Sequence, residues 1–232
     1  MLSNHLADKA VRVHHLLREH YGEPRRHRSL DPLSELILTI LSQNTADINS
    51  GRAYDALRAR FSTWEEVLEA DTQAVADAIR VGGLSQIKAP RIQAILRQLR
   101  EERGQLTLDF LDALSLEQAR QYLLALHGVG PKTAACVLLF SLHKPAFPVD
   151  THVHRVGRRI GLFPYKTTPE KAGDILEGLV PEEDYYSFHV LLIWHGRRIC
   201  TAGAPRCDVC PVKGECNSYW ERAEAEASDS LG

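Results

Sequence analysis

This chain has no long apolar run. Its cleanest hydrophobic stretch, Ala134 to Leu142, is about nine residues, whereas a helix needs roughly 20 to cross a bilayer, so no membrane partner is expected. No alternation of polar and apolar residues lasts long enough for a useful strand, which argues against a sheet-based fold. The N-terminus, MLSNHLADKAVRVHHLL, interrupts its apolar residues with charges and shows no cleavage signal. That predicts a cytoplasmic protein. Cysteine is nearly absent too: outside one short C-terminal stretch there is only Cys136. Net charge is small, with 28 Lys and Arg against 30 Asp and Glu.

The near-neutrality is uneven. Residues 126–166 carry six Lys/Arg and one Asp, whereas residues 217–232 carry one Arg and four acids. A basic middle suits contact with a polyanion. Hydrophobic content of 44% and charged content of 25% over 232 residues fit a soluble globular chain with one large domain or two small ones.

What is present is helical periodicity. Leu33, Leu36, Ile37, Ile40 and Leu41 follow the i, i+3, i+4, i+7, i+8 pattern of a buried helix face. Further helices are predicted over 5–20, 46–60, 64–70, 72–80, 88–103, 115–126, 131–142, 150–161, 168–179 and 184–199. Turn signals such as GG at 82–83, GVGP at 128–131 and KPAFP at 144–148 separate them. The fold class is therefore all-α, with a domain boundary near 144–150. The last stretch, ERAEAEASDSLG, is polar and low in complexity, which predicts a flexible tail over 217–232.

Two stretches carry chemistry. Cys200, Cys207, Cys210 and Cys216 have gaps of six, two and five residues. Four thiolates in so short a loop can surround one centre, either zinc or an iron–sulfur cluster. Disulfides are disfavoured in a cytoplasmic chain. Cys136, inside AACVLLF, reads as a small buried hydrophobe.

The other stretch is LHGVGPKTA at 126–134. Gly128 and Gly130 flank Val129, so positive φ and a close backbone approach are expected there. Pro131 suits the first helical turn. The amides at that helix start form a phosphate-binding arrangement. Lys132 then puts a cation at the positive end of a helix, against the usual preference. Asp150, at the head of VDTHVHRVGRR, reads as an N-cap and equally as a carboxylate held rigidly at a cleft.

LHGVGPKTAACVL, PVDTHVHRVGRRIGL and HGRRIC leading into the cysteine loop together resemble the endonuclease III family of helix–hairpin–helix DNA glycosylases. The resemblance runs from about Pro32, in PLSELILTILSQNTAD, to Cys216. It implies two helical domains flanking a DNA-binding cleft. One spans 29–145 and contains the helix–hairpin–helix at about 115–142. The other combines 1–28 with 146–232 and holds a structural [4Fe–4S] cluster on Cys200, Cys207, Cys210 and Cys216. The family's nucleophile matches Lys132 and its catalytic aspartate matches Asp150. Lys132 points to the bifunctional class, glycosylase plus AP lyase.

The implied partner is double-stranded DNA with damaged bases or abasic sites, bound by a nucleoid-associated monomer. Gly128, Val129, Gly130 and Thr133 would dock its backbone. Gln43, Asn44 and Leu84 match loops that fill the gap left by a flipped base, and His152 lies by the DNA. Oxidised pyrimidines are the implied substrates. A monofunctional or mismatch-specific glycosylase and a non-catalytic DNA binder are the alternatives. The chain departs from the common pattern at His127, where the family has Pro, at Pro131, where it has a basic residue, at SQNTAD in place of SAQATD, and at Leu124, where some members have Glu.

Overall fold

The computed structural model describes residues 2–25 and 29–229. Among these there are helices and no strands, with twelve α-helices. They are α1 (Leu2–Tyr21), α2 (Pro32–Ser42), α3 (Asp47–Arg60), α4 (Trp64–Glu69), α5 (Thr72–Ala78) and α6 (Ser85–Arg103). After these come α7 (Leu116–Ala125), α8 (Pro131–Phe140), α9 (Thr151–Ile160), α10 (Pro169–Leu179), α11 (Tyr185–Arg198) and α12 (Asn217–Asp229). The chain divides into two compact units, one of residues 28–144 and one of 1–27 with 145–232.

In the 28–144 unit, α2 is the central helix and packs against α3, α6 and α8. Its start is written in the sequence. Asp31 caps it by accepting from the Ser34 amide at 3.0 Å, and Pro32 occupies the first turn, where no amide is needed. Leu33, Leu36, Ile37, Ile40 and Leu41 are all buried, as their spacing predicts. A Ser115–Gln118 capping box starts α7. Both Pro131 and the buried Cys136 take the positions read from the sequence.

In the other unit, α11 packs against α9 and α1, and α1 also meets α10. Phe147 makes edge-on ring contacts with Tyr185 and Phe188, at 5.4 and 6.2 Å between centroids. Buried Lys9 on α1 donates to the Ile160 carbonyl that ends α9 and to Asn217 Oδ1 at the start of α12, both at 2.7 Å. One ammonium thus joins three helices and satisfies a carbonyl that the helix itself cannot.

Besides shifts of a few residues at other helix ends, the structure departs from the sequence reading in three ways. Helix α6 begins at Ser85, not 88, because Leu84 takes a left-handed conformation (φ 52°) and lets its carbonyl accept the Lys88 amide. The segment read as a flexible tail is helical to Asp229. Alanine and glutamate are strong helix formers, and Arg222 ties the helix to Cys207 at 3.0 Å. Residues 230–232 of that segment lie outside the described residues. Third, Gly128 has positive φ (74°), but Gly130 is extended (φ −101°, ψ 177°).

Replacing Lys9 by Met should destabilise the protein by about 1–3 kcal/mol, since it leaves the buried Ile160 carbonyl without a partner. Urea unfolding measures this; an unchanged midpoint would show that water replaces the ammonium.

Candidate functional site

The extended Gly130 is the residue that opens α8, and it has no side chain with which to cap it. Pro131 contributes no amide. The amides of Lys132 and Thr133 therefore begin the helix with no side-chain acceptor, the condition for holding an anion. Val129 is buried beneath the turn, while Gly128 is exposed. A Cβ at Gly128 would collide with the Arg91 guanidinium, which lies directly over the turn.

Arg91 belongs to a longer chain of bonds. Its Nη1 donates to Gln43 Oε1 at 2.7 Å, and Gln43 Nε2 donates to Thr133 Oγ1 at 3.2 Å. Sequence reasoning missed Arg91, because its role depends on distant partners, Gln43 48 residues before it and the turn at Gly128 well after it. Gln43 is thus fixed to the first turn of α8. Asn44 next to it is exposed and left-handed (φ 53°). Leu84 combines the same backbone strain with a side chain 49% exposed to solvent. An exposed leucine in a left-handed conformation loses twice, in strain and in apolar exposure, and such positions concentrate at functional sites.

Glu35 is a second residue that the sequence reading did not single out. It lies half-buried on α2, accepts from Thr39 Oγ1 at 3.2 Å, and feels the charge of Lys132. Burial pushes its carboxyl above the ordinary value, against the Thr39 bond and the Lys132 charge, which pull it down. The available signal was an acid four residues before Thr39 on a largely apolar helix.

Asp150 and His152 belong to the other unit. Asp150 caps α9, accepting the Val153 amide at 2.7 Å on one carboxylate oxygen. That bond fixes the carboxylate's direction. His152 is half-buried, and its Nδ1 is 3.1 Å from Arg155 Nη2. Burial lowers its pKa most, with Asp150 opposing.

The four cysteines, also in this unit, line one cavity and form no disulfides. Polar groups converge on their sulfurs. Arg159 Nη1 is 3.3 Å from Cys200 Sγ, Arg222 Nη2 is 3.0 Å from Cys207 Sγ, and His195 Nε2 is 3.6 Å from Cys210 Sγ. Burial pushes the Cys210 thiol up to about 11 and raises that of Cys216 as well. Among the described residues, no three His, Cys, Asp or Glu side chains are arranged to hold a single metal ion.

Comparison with known proteins agrees with this architecture. Residues 37–182 match the HhH-GPD superfamily of base excision DNA repair proteins. A protein of Arabidopsis thaliana named as a DNA glycosylase is 41% identical over 192 residues. The match covers 78% of this chain but 65% of that one, so the chain spans slightly under two thirds of this relative. Endonuclease III of Thermotoga maritima is 38% identical over 203 residues, 88% of this chain and 91% of that one. A solved endonuclease III trapped covalently on DNA superposes with a TM-score of 0.78 at 25% identity, covering 92% and 98% of the two chains.

The Glu35 carboxyl gives a pH prediction. Its folded value is raised, so its favourable contribution is complete below the ordinary carboxylate range, near pH 4, and is lost as pH rises through the folded value. Glu35→Gln should therefore melt a few degrees above the parent at pH 8, and the two should converge near pH 4. A pH-independent difference would refute this account.

Proposed function

Because the chain belongs to the endonuclease III family of the HhH-GPD superfamily of base excision DNA repair proteins, we propose that it is a bifunctional DNA glycosylase and AP lyase acting on damaged pyrimidines in duplex DNA. The observation that carries this reading is Lys132 in the uncapped first turn of α8, directly after the Gly128–Gly130 turn. A pure binding module has no use for an amine at that position, where peptide dipoles disfavour a cation. A nucleophile does.

In this reading the amides of Lys132 and Thr133 dock a phosphate, which positions the DNA without reading its sequence. The damaged nucleotide leaves the stack, and Gln43, Asn44 and Leu84 fill the space it vacates. The neutral amine of Lys132 forms a bond to C1′ of the deoxyribose while the C1′–N bond breaks and the base departs. The sugar ring opens to a Schiff base, loss of the C2′ proton follows, and the C3′–O bond breaks. Asp150 stabilises the positive charge that develops on the sugar and moves the protons. His152 lies two residues after Asp150, and its burial favours the neutral ring.

Cys200, Cys207, Cys210 and Cys216 line one cavity and are the residues that would hold a [4Fe–4S] cluster, one thiolate to each iron. Bound there, the cluster would supply structure, pinning the loop from Cys200 to Cys216.

Borohydride should link the protein covalently to abasic duplex DNA, and Lys132→Ala should abolish the link. Asp150→Asn keeps an N-cap acceptor but removes the charge. It should slow trapping by about 100-fold or more with little change in melting temperature. Protein that binds this duplex but never traps would overturn the lyase assignment. Purified protein should also be yellow-brown and contain iron and sulfide; colourless protein containing zinc would overturn the cluster.

A further inference from the structure

Lys88 is among the largest fully buried side chains of the described residues, only 2% exposed. Its ammonium meets three oxygens: the Leu41 carbonyl at 2.7 Å, Thr45 Oγ1 at 2.7 Å and the Gly82 carbonyl at 3.1 Å. An ammonium has three protons to donate, so this one is fully used. Thr45 Oγ1 also donates to the Gly82 carbonyl at 2.6 Å, closing a small ring of bonds. None of these partners is a carboxylate. Burying an unpaired charge is costly, and burial accordingly lowers this lysine's pKa.

The three oxygens come from the two segments that carry the strained residues. Leu41 lies near the end of α2, two residues before Gln43. Thr45 follows the left-handed Asn44. Gly82 precedes Leu84 by two residues, and the Leu84 carbonyl accepts the amide of Lys88 itself at 2.9 Å. Leu84 and Asn44 are exposed at the surface, while the group that joins their backbones is sealed beneath them.

We infer that Lys88 is a positioning residue that clasps these two segments into one rigid wedge, holding Asn44 and Leu84 in their left-handed conformations before DNA arrives. The inference rests on the proposed role of these loops in filling the gap beside a flipped nucleotide. It adds what that role requires: strained residues stay poised only where surrounding bonds over-determine them. A wedge already formed does not have to be ordered at the moment of binding.

The test uses the full-length protein and two abasic duplexes. In one the site lies opposite 2-aminopurine, a fluorescent adenine analogue that reports unstacking. In the other it lies opposite a tetrahydrofuran residue, which leaves no base to hold. With Lys88→Met, strand cleavage opposite 2-aminopurine should fall at least 10-fold and the fluorescence change on binding should shrink. Cleavage opposite tetrahydrofuran should fall less than 3-fold. Thr45→Val removes one acceptor and should show the same selectivity with a smaller loss, and it decides the matter should Lys88→Met fail to fold. Equal losses on both duplexes, or no loss on either, would overturn the clasp. Parent protein that cleaves neither duplex would instead overturn the proposed activity on which the clasp depends.

Discussion

The bonds from Arg91 through Gln43 to Thr133 are the constraint on which the candidate site depends. They join the loop after α2, the helix α6 and the first turn of α8. None of these three is fixed by its own sequence. The turn at Gly128 is covered on its outer side by Arg91, and the Gln43 side chain is held by partners 48 and 90 residues away. Each side chain in the chain satisfies its neighbour, so the loss of any one leaves another unpaired in a partly buried place. The packing of α2 against α8 brings the ends close enough for the bonds to form, and the bonds then fix how the loop and the turn face each other.

Beneath this surface network both units rely on a buried ammonium, and the two are used alike. Lys9 meets the carbonyl that ends α9, and Lys88 meets a carbonyl near the end of α2 and another at the end of the turn before α6. The ends of helices leave carbonyls without intrahelical partners and with a partial negative charge. Where such ends are buried, water cannot satisfy them. A lysine does so with a charge-assisted bond and spans several ends at once. The Arg12–Glu215 ion pair is by contrast peripheral: its partners meet at 2.9 Å, an exposed guanidinium against a half-buried carboxylate, where screening leaves little energy.

The sequence was readable where structure is local. Most helices follow from apolar spacing and turn signals, and the all-α class from the lack of any alternating run. Asp150 as a cap needed only its position before THVHRVGRR. What escaped reading depends on distant partners. Gly130 looked like a second left-handed glycine, yet one reversed residue at Gly128 suffices for the turn and leaves Gly130 extended. The early start of α6 follows from strain at Leu84, which is held by groups far away in sequence. Glu35, Lys88 and Arg91 carry no local mark that separates them from ordinary charges on helices. Nothing local distinguishes a buried lysine from a solvated one. The C-terminal helix was hidden by its composition, because alternating Glu and Ala suits a solvated helix as well as a disordered tail.

The chain's departures from the common family pattern acquire a physical meaning at the turn. Pro131, where the pattern has a basic residue, occupies the first position of α8 and is exposed. It removes a cation and also an amide from the place where a phosphate would dock. In the proposed reading the docking contacts left there are the amides of Lys132 and Thr133, the partial charge of the helix end and the Arg91 guanidinium over Gly128, since Lys132 is reserved for chemistry. Fewer cations on phosphates means fewer counterions released, and so a shallower dependence of affinity on salt. The basic surplus of residues 126–166 cannot make this up at the turn itself, since after Lys132 its next cation is Lys144, whose ammonium is occupied by the carbonyls of Asp112 and Leu114. In the proposed reading, docking at this turn therefore rests on those amides and on how Arg91 is held over it. That places a heavier demand on the rigidity of the Arg91–Gln43–Thr133 chain than a more basic turn would make.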